Sequence, residues 1–222
     1  MILEVDNIEL SYDGKPILDA VYLKAETGKV TGILGRNGSG KTSLLSIIYG
    51  STSPKYKLIR VDGRPITKKM YKTGLIAYLP QFSYLPAHMT LKKAFYLYEI
   101  SWKDFVAKFP SFKPMERFRK AEISGGELRL VETYLILRSK AKILLLDEPF
   151  SNLSPLYIAH LKEIIQEIKN QKIIVLTDHF YNDVLDAADK IYLCKNRKLQ
   201  LMKNQQELID QGYLPLDAKV LQ

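Results

Sequence analysis

Apolar and polar positions alternate through the first thirty residues, as in Ile8-Glu9-Leu10-Ser11-Tyr12 and Ile17-Leu18-Asp19-Ala20-Val21-Tyr22-Leu23, on either side of Asp13-Gly14-Lys15-Pro16. A period of two around a Gly- and Pro-bearing turn predicts antiparallel strands with one buried face. The pattern then changes. Val30-Thr31-Gly32-Ile33-Leu34 is a short apolar run, a Gly-rich turn follows, and Ser43-Leu44-Leu45-Ser46-Ile47-Ile48-Tyr49 has helical spacing of apolar residues. Strand, loop and helix in that order make a βα unit. Ile143-Leu144-Leu145-Leu146 and Ile173-Ile174-Val175-Leu176 are unbroken apolar blocks of the kind that fill the centre of a parallel sheet covered on both faces. The chain therefore reads as α/β, with a parallel core sheet and an antiparallel N-terminal β-subdomain.

Strand signals vanish between residues 82 and 138, where a helical stretch takes over. Residues 82–118 hold ten of the 23 aromatics: Phe82, Tyr84, Phe95, Tyr96, Tyr98, Trp102, Phe105, Phe109, Phe112 and Phe118. That concentration predicts an inserted α-helical subdomain over 82–138, with residues 1–81 and 139–222 forming the core and β-subdomain. No internal repeat or long linker divides the chain, so 1–222 is expected to be one domain. Phe82, Tyr84 and Leu85, with Phe95 and Tyr98, serve equally as a partner-docking groove or as the insertion's own core.

Composition excludes several classes. Apolar residues at 46% and charged residues at 26% match soluble globular domains and leave no room for a disordered chain. The lone Cys194 precludes an internal disulfide, and the three histidines, far from that cysteine, make no structural zinc site. No apolar run approaches the ~18–20 residues needed to cross a bilayer. Without a charged n-region leading into an apolar stretch, a cytoplasmic location is expected. The net charge of +9 is unevenly spread, for residues 27–98 carry twelve basic side chains against the single acid Asp62. A block of that kind is a solvated face as readily as a site for nucleic acid, anionic lipid or a phosphorylated ligand.

Gly35-Arg36-Asn37-Gly38-Ser39-Gly40-Lys41-Thr42 fits G-x-x-x-x-G-K-[ST] and lies between a predicted strand and a predicted helix. Glycines there let backbone N–H groups turn inward around phosphate oxygens, Lys41 reaches the β/γ-phosphates and the Thr42 hydroxyl ligates Mg²⁺. Leu144-Leu145-Leu146-Asp147-Glu148 ends an apolar strand in adjacent carboxylates, which are costly to bury without a cation or donor. Asp147 is placed to reach the metal and Glu148 to polarise an attacking water. Ile123-Ser124-Gly125-Gly126-Glu127 opens a helix, with Ser124 as N-cap and Glu127 completing a capping box. The pattern suits a plain capped helix, and equally a helix N-terminus ready to take a second phosphate.

These motifs, in this order and over essentially the whole chain, resemble the nucleotide-binding domain of ABC (ATP-binding cassette) proteins. The resemblance implies a P-loop NTPase core and specific roles. Tyr12 stacks on adenine, Gly35 to Ser43 cradle ATP (Gly35, Arg36, Asn37, Gly38, Ser39, Gly40, Lys41, Thr42 and Ser43), and Gln81 is the Q-loop glutamine. Ser124, Gly125, Gly126 and Glu127 are the signature motif, and Asp147 and Glu148 the Walker B pair. Ser151 to Ser154 form the D-loop, and His179 senses the γ-phosphate. Glu148, His179 and Gln81 are then the catalytic set, while Thr42, Gln81 and Asp147 hold Mg²⁺. The family also implies a head-to-tail dimer in which Ser124-Gly125-Gly126 of one copy faces ATP held by Lys41 of the other.

Two motifs depart from the family's commonest pattern: Ile123 and Glu127 stand for Leu and Gln in the signature, and Ser154 for Asp in the D-loop. Ser124-Gly125-Gly126-Glu127 followed by Arg129 and Val131-Glu132, with Thr177-Asp178-His179, looks most like the lipopolysaccharide-export and branched-chain amino-acid transport ATPases. The expected function is an ATP-hydrolysing transporter subunit, paired with a separate transmembrane permease and peripheral on the inner face of the membrane. No nucleic acid is expected as partner. The alternatives are a soluble ABC ATPase acting on ribosomes or nucleic acid, which usually carries two cassettes or long coiled coils, and a P-loop kinase, which leaves Gln81, Ser124 and His179 unexplained.

Overall fold

The computed structural model describes residues 1–215. The alternating segment forms β1 (Ile2–Tyr12) and β2 (Lys15–Glu26), paired antiparallel. Asp13 and Gly14 both have positive φ, 48° and 75°, as a two-residue hairpin turn of the type that matches strand twist requires. Next come β3 (Val30–Leu34) and α1 (Lys41–Tyr49). The helix begins ahead of the apolar spacing because Gly40, at φ 104°, turns the chain directly into it. β4 (Tyr56–Val61) and β5 (Arg64–Pro65) complete a four-stranded sheet of order β2-β1-β4-β5. The N-terminal sheet thus takes half its strands from beyond the Gly-rich loop, which the alternation of the first thirty residues does not foretell.

After β6 (Ile76–Leu79), α2 (Leu91–Tyr98), α3 (Trp102–Lys108) and α4 (Gly125–Arg138) follow without an intervening strand. The chain continues through β7 (Ile143–Asp147), α5 (Pro155–Ile168), β8 (Ile173–Thr177), α6 (Tyr181–Ala187), β9 (Lys190–Lys195), β10 (Lys198–Met202) and α7 (Gln205–Asp210). The second sheet has the order β10-β9-β3-β8-β7-β6, parallel except for β10. Every residue of β3, β7 and β8 is buried. Leu144 and Leu146 face one core with Val30, Leu34 and Leu176, while Ile143 and Leu145 face the other with Ile33, Val175, Leu44 of α1 and Leu3 of β1. Both faces of the sheet are covered, which is why these strands read as unbroken apolar blocks.

The aromatics of the insertion mostly pack on themselves. Phe105 has Phe95, Phe109, Phe112 and Tyr134 around it at ring-centroid distances of 4.9–5.1 Å. Of the five residues offered as a groove, Leu85 and Phe95 are core, and Tyr84 and Tyr98 are half-buried against each other. Phe82 alone stands free, 81% exposed.

Candidate functional site

In a parallel sheet, neighbouring strands deliver their C-terminal ends to one edge. β3, β8 and β7 are adjacent in that order, so the loops after them carry Gly35–Thr42, Asp178-His179 and Glu148 side by side. A cleft of about 450 Å³ opens there, lined by Tyr12, Ile17, Asn37 to Ser43, Gln81 and Glu148. Five separate stretches of sequence meet in it.

Lys41 is buried at the start of α1, and its ammonium donates to the carbonyls of Gly35 (2.7 Å) and Arg36 (3.3 Å). Burial pushes its pKa below the ordinary lysine value, against the opposing pull of Cys194, Glu148 and Asp147. Neutral carbonyls are weaker partners for a desolvated cation than a polyphosphate. Gly38, at φ 77°, has open space where a Cβ would project. The loop therefore fits a phosphate chain, with glycine conformations turning the backbone around it.

Asp147 ends β7 at 1% exposure with both carboxylate oxygens held. Thr177 Oγ1 donates to Oδ1 at 2.7 Å, and Tyr78 Oη donates to Oδ2 at 3.2 Å. Glu148 follows at φ 54°, a left-handed conformation that costs a glutamate about 1–3 kcal/mol and clusters at functional sites. Its N–H donates to Thr177 O at 2.8 Å, and its carbonyl accepts from the Arg129 guanidinium, so both sides of the strained peptide are pinned. The carboxylate lies 3.7 Å from His179 Nδ1. Asp178, fully buried, accepts from the N–H groups of His179, Phe180 and Phe150 and thereby ties the His179 loop to the loop after β7. Burial raises the pKa of its carboxyl, and the amide donors and His179 oppose that shift.

Oxygen donors from Thr42, Gln81 and Asp147 suit a hard cation such as Mg²⁺. No cluster of three or more His, Cys, Asp and Glu side chains among the described residues makes a metal cage of its own.

Ser124 to Glu127 lie outside the cleft. Ser124 caps α4 by accepting from Glu127 N at 3.2 Å, and the Glu127 carboxylate accepts from Ser124 N at 2.8 Å, so the capping box read from the sequence is formed. Nothing lies within 4 Å of a Cβ placed on Gly125, whereas one on Gly126 meets Asn152 O. In the segment after β7, Ser154 accepts from Tyr157 N and caps α5, with Pro155 in its first turn. Asp and Ser are equivalent N-caps, so that departure leaves the helix start intact.

Residues 18–151 match the family described as ABC transporter. The chain belongs to the ABC transporter family. It is an ATP-binding subunit of that kind, with the ATP-hydrolysing fold of the family. The lipopolysaccharide export ATP-binding protein LptB of Haemophilus influenzae is 28% identical over 214 residues, covering 86% of each chain. The branched-chain amino acid transport ATP-binding protein BraG of Pseudomonas aeruginosa is 29% identical over 89% of this chain and 91% of its own. A putative ABC transporter ATP-binding protein from Pyrococcus furiosus superposes with a TM-score of 0.71 at 27% identity, over 87% of this chain and 98% of that one. The matches to LptB and BraG agree with the likeness expected from Ser124 to Glu127, Arg129, Val131-Glu132 and Thr177 to His179.

The sequence patterns overlooked Tyr78, Thr177, Arg129 and Asp178 as parts of the site. Arg129 has carried a signal nonetheless: in α4 every residue from Leu128 to Leu137 is buried, and a guanidinium inside such a helix demands acceptors. Thr177-Asp178, ending an apolar strand in polar groups as Asp147-Glu148 does, carried another. Nothing in the sequence marks Tyr78.

Proposed function

We propose that this ABC ATPase subunit hydrolyses MgATP between two head-to-tail copies and drives a separate membrane-spanning partner. The observation that carries this reading is the division of the site. Tyr12, Lys41, Thr42, Gln81 and Glu148 serve one cleft, while Ser124-Gly125-Gly126 is a helix N-terminus exposed elsewhere with clear space above Gly125. Half of a phosphate site on each of two surfaces is complete only when a second copy supplies the other half.

Tyr12, half exposed at the end of β1, offers its ring to the base. Lys41 and the amides of Gly38 to Thr42 bind the β/γ-phosphates. Thr42, Gln81 and Asp147 would hold Mg²⁺, which neutralises charge on the phosphate oxygens when bound. Thr177 and Tyr78 keep the Asp147 carboxylate in register. Glu148 orients a water and takes its proton, and His179, beside it, contacts the γ-phosphate. No helix among the described residues is long and apolar enough to cross a membrane, so passage of a transported molecule falls to the partner. Exposed Phe82 and Tyr96, 81% and 80% exposed, are candidates for contact with it at the inner membrane face.

The test is Glu148→Gln, which keeps size and hydrogen bonding but removes the base. With MgATP the variant elutes as a dimer and with MgADP as a monomer, and it turns over ATP far more slowly than wild type. Wild-type turnover assigns the base elsewhere, and a monomer with MgATP refutes the two-copy site.

A further inference from the structure

The segment from Pro80 to Leu85 joins β6 to the insertion and has no strand or helix partner for its backbone groups. Such groups need other partners when buried. Two charged side chains of α4 supply them. Arg129 Nη1 donates to Pro80 O at 2.7 Å, at the start of the segment. Glu132 Oε1 accepts from Tyr84 N and Leu85 N, each at 3.1 Å, and from Ser83 Oγ, at its end. Tyr84 Oη closes the contact by donating to Glu132 O at 3.3 Å.

Arg129 and Glu132 are one helical turn apart, on one face of α4, at 7% and 1% exposure. Between the pinned ends, Gln81 and Phe82 remain exposed, and Gln81 reaches the nucleotide cleft. The guanidinium also donates to the carbonyls of Asp147 and Glu148, so the same helix grips the end of β7. Burying a carboxylate and a guanidinium on backbone partners is a costly way to pack a helix, and apolar side chains would fill the space at less cost. What the charges add is a directional attachment between this segment and the helix that begins at Ser124.

We propose that Glu132 is a positioning residue: it latches Ser83–Leu85 to α4, so that Gln81 and Ser124-Gly125-Gly126 move as one body when nucleotide enters the cleft. This rests on the reading of Gln81 as a nucleotide contact. Arg129 secures the other end of the same latch.

Hydrogen exchange on the full-length chain tests it, using wild type, Glu132→Ala, Glu132→Gln and Ser83→Ala, with and without MgATP. In Glu132→Ala the amides of Tyr84 and Leu85 exchange about tenfold faster or more, the loss of a hydrogen bond to a charged acceptor, while α1 and β8 keep their protection. MgATP slows exchange at Ser124–Glu127 in wild type and no longer does so in Glu132→Ala, although nucleotide affinity is unchanged. kcat falls while KM holds. Glu132→Gln, which keeps an acceptor oxygen, lies between the two.

Protected Tyr84 and Leu85 amides in Glu132→Ala overturn the latch. A MgATP response at Ser124–Glu127 that survives the substitution, or is absent from wild type, overturns the transmission. Should Glu132→Ala not fold, Ser83→Ala, at an exposed position, and Glu132→Gln decide, and unchanged exchange at Leu85 in both overturns the proposal. A wild type that does not bind MgATP refutes the functional reading, whereas exchange at Tyr84 and Leu85 still judges the latch.

Discussion

Gly125 and Gly126 are neighbours in the first turn of α4, yet a methyl group on each meets a different fate. On Gly126 it strikes the carbonyl of Asn152, closer than any relaxed contact, and that carbonyl belongs to a turn held by Ser151 N donating to Glu148 O and Leu153 N to Phe150 O. Asn152 itself sits at φ 61°, so the turn cannot simply slide. Overpacking of this kind costs about 1–3 kcal/mol, and the helix-propensity gain of alanine over glycine offsets up to about 1 kcal/mol. A net loss of about 0–3 kcal/mol lowers Tm by up to about 12 °C in a chain of this size. On Gly125 the methyl meets open space, so Gly125→Ala leaves Tm unchanged or raises it by up to about 4 °C. Activity runs the other way round. The space above Gly125 is where a phosphate held by the second copy would approach, so Gly125→Ala in a Glu148→Gln background loses the MgATP-dependent dimer while the monomer stays fully folded. Thermal unfolding without nucleotide and gel filtration with MgATP measure the two effects. Equal Tm losses in both variants, or normal dimer trapping in Gly125→Ala, refute the separation of a packing glycine from a contact glycine.

Lys41→Ala removes a buried cation whose hydrogen bonds go only to the carbonyls of Gly35 and Arg36 and whose burial already disfavours its charge, so the nucleotide-free Tm changes little. The stabilisation that saturating ATP confers, about 2.7 kcal/mol at a hundredfold excess over Kd, disappears, and a retained ATP-dependent rise in Tm contradicts the P-loop assignment. Lys172 caps α4 by donating to the carbonyls of Leu137 and Ser139, and burial, with Lys142 and Arg138 nearby, brings its pKa from the ordinary 10.5 down to about 8. Between those values the unfolded chain binds more protons than the folded one, so this group makes stability rise with pH across that window. The wild-type stability relative to Lys172→Met therefore increases from pH 8 to pH 10 in denaturant melts, and a difference that is flat or falling counts against the half-buried cation.

Local patterns in the sequence determined the elements whose physics is local. The apolar blocks at Ile143–Leu146 and Ile173–Leu176 had to be central strands, because an unbroken apolar run of four residues is too short for a helix and suits a strand covered on both faces. Gly35 to Thr42 had to be a glycine-turned loop between a strand and a helix, since its glycines act within one turn of backbone, and Ser124 with Glu127 had to cap a helix because both bonds close within three residues. Those short-range dependences also made the family legible. Long-range placement was left to the tertiary structure. It drew β4 beside β1 to complete the N-terminal sheet, brought Thr177 and Tyr78 onto the two oxygens of Asp147, and set Gly126 against Asn152 while leaving Gly125 open. It also turned Arg129 and Glu132 from two charges in an apolar helix into the anchors of the Gln81 segment. None of these pairings has a sequence period, because each is fixed by which strand ends meet at one edge of the sheet and by where a buried polar group finds its partner.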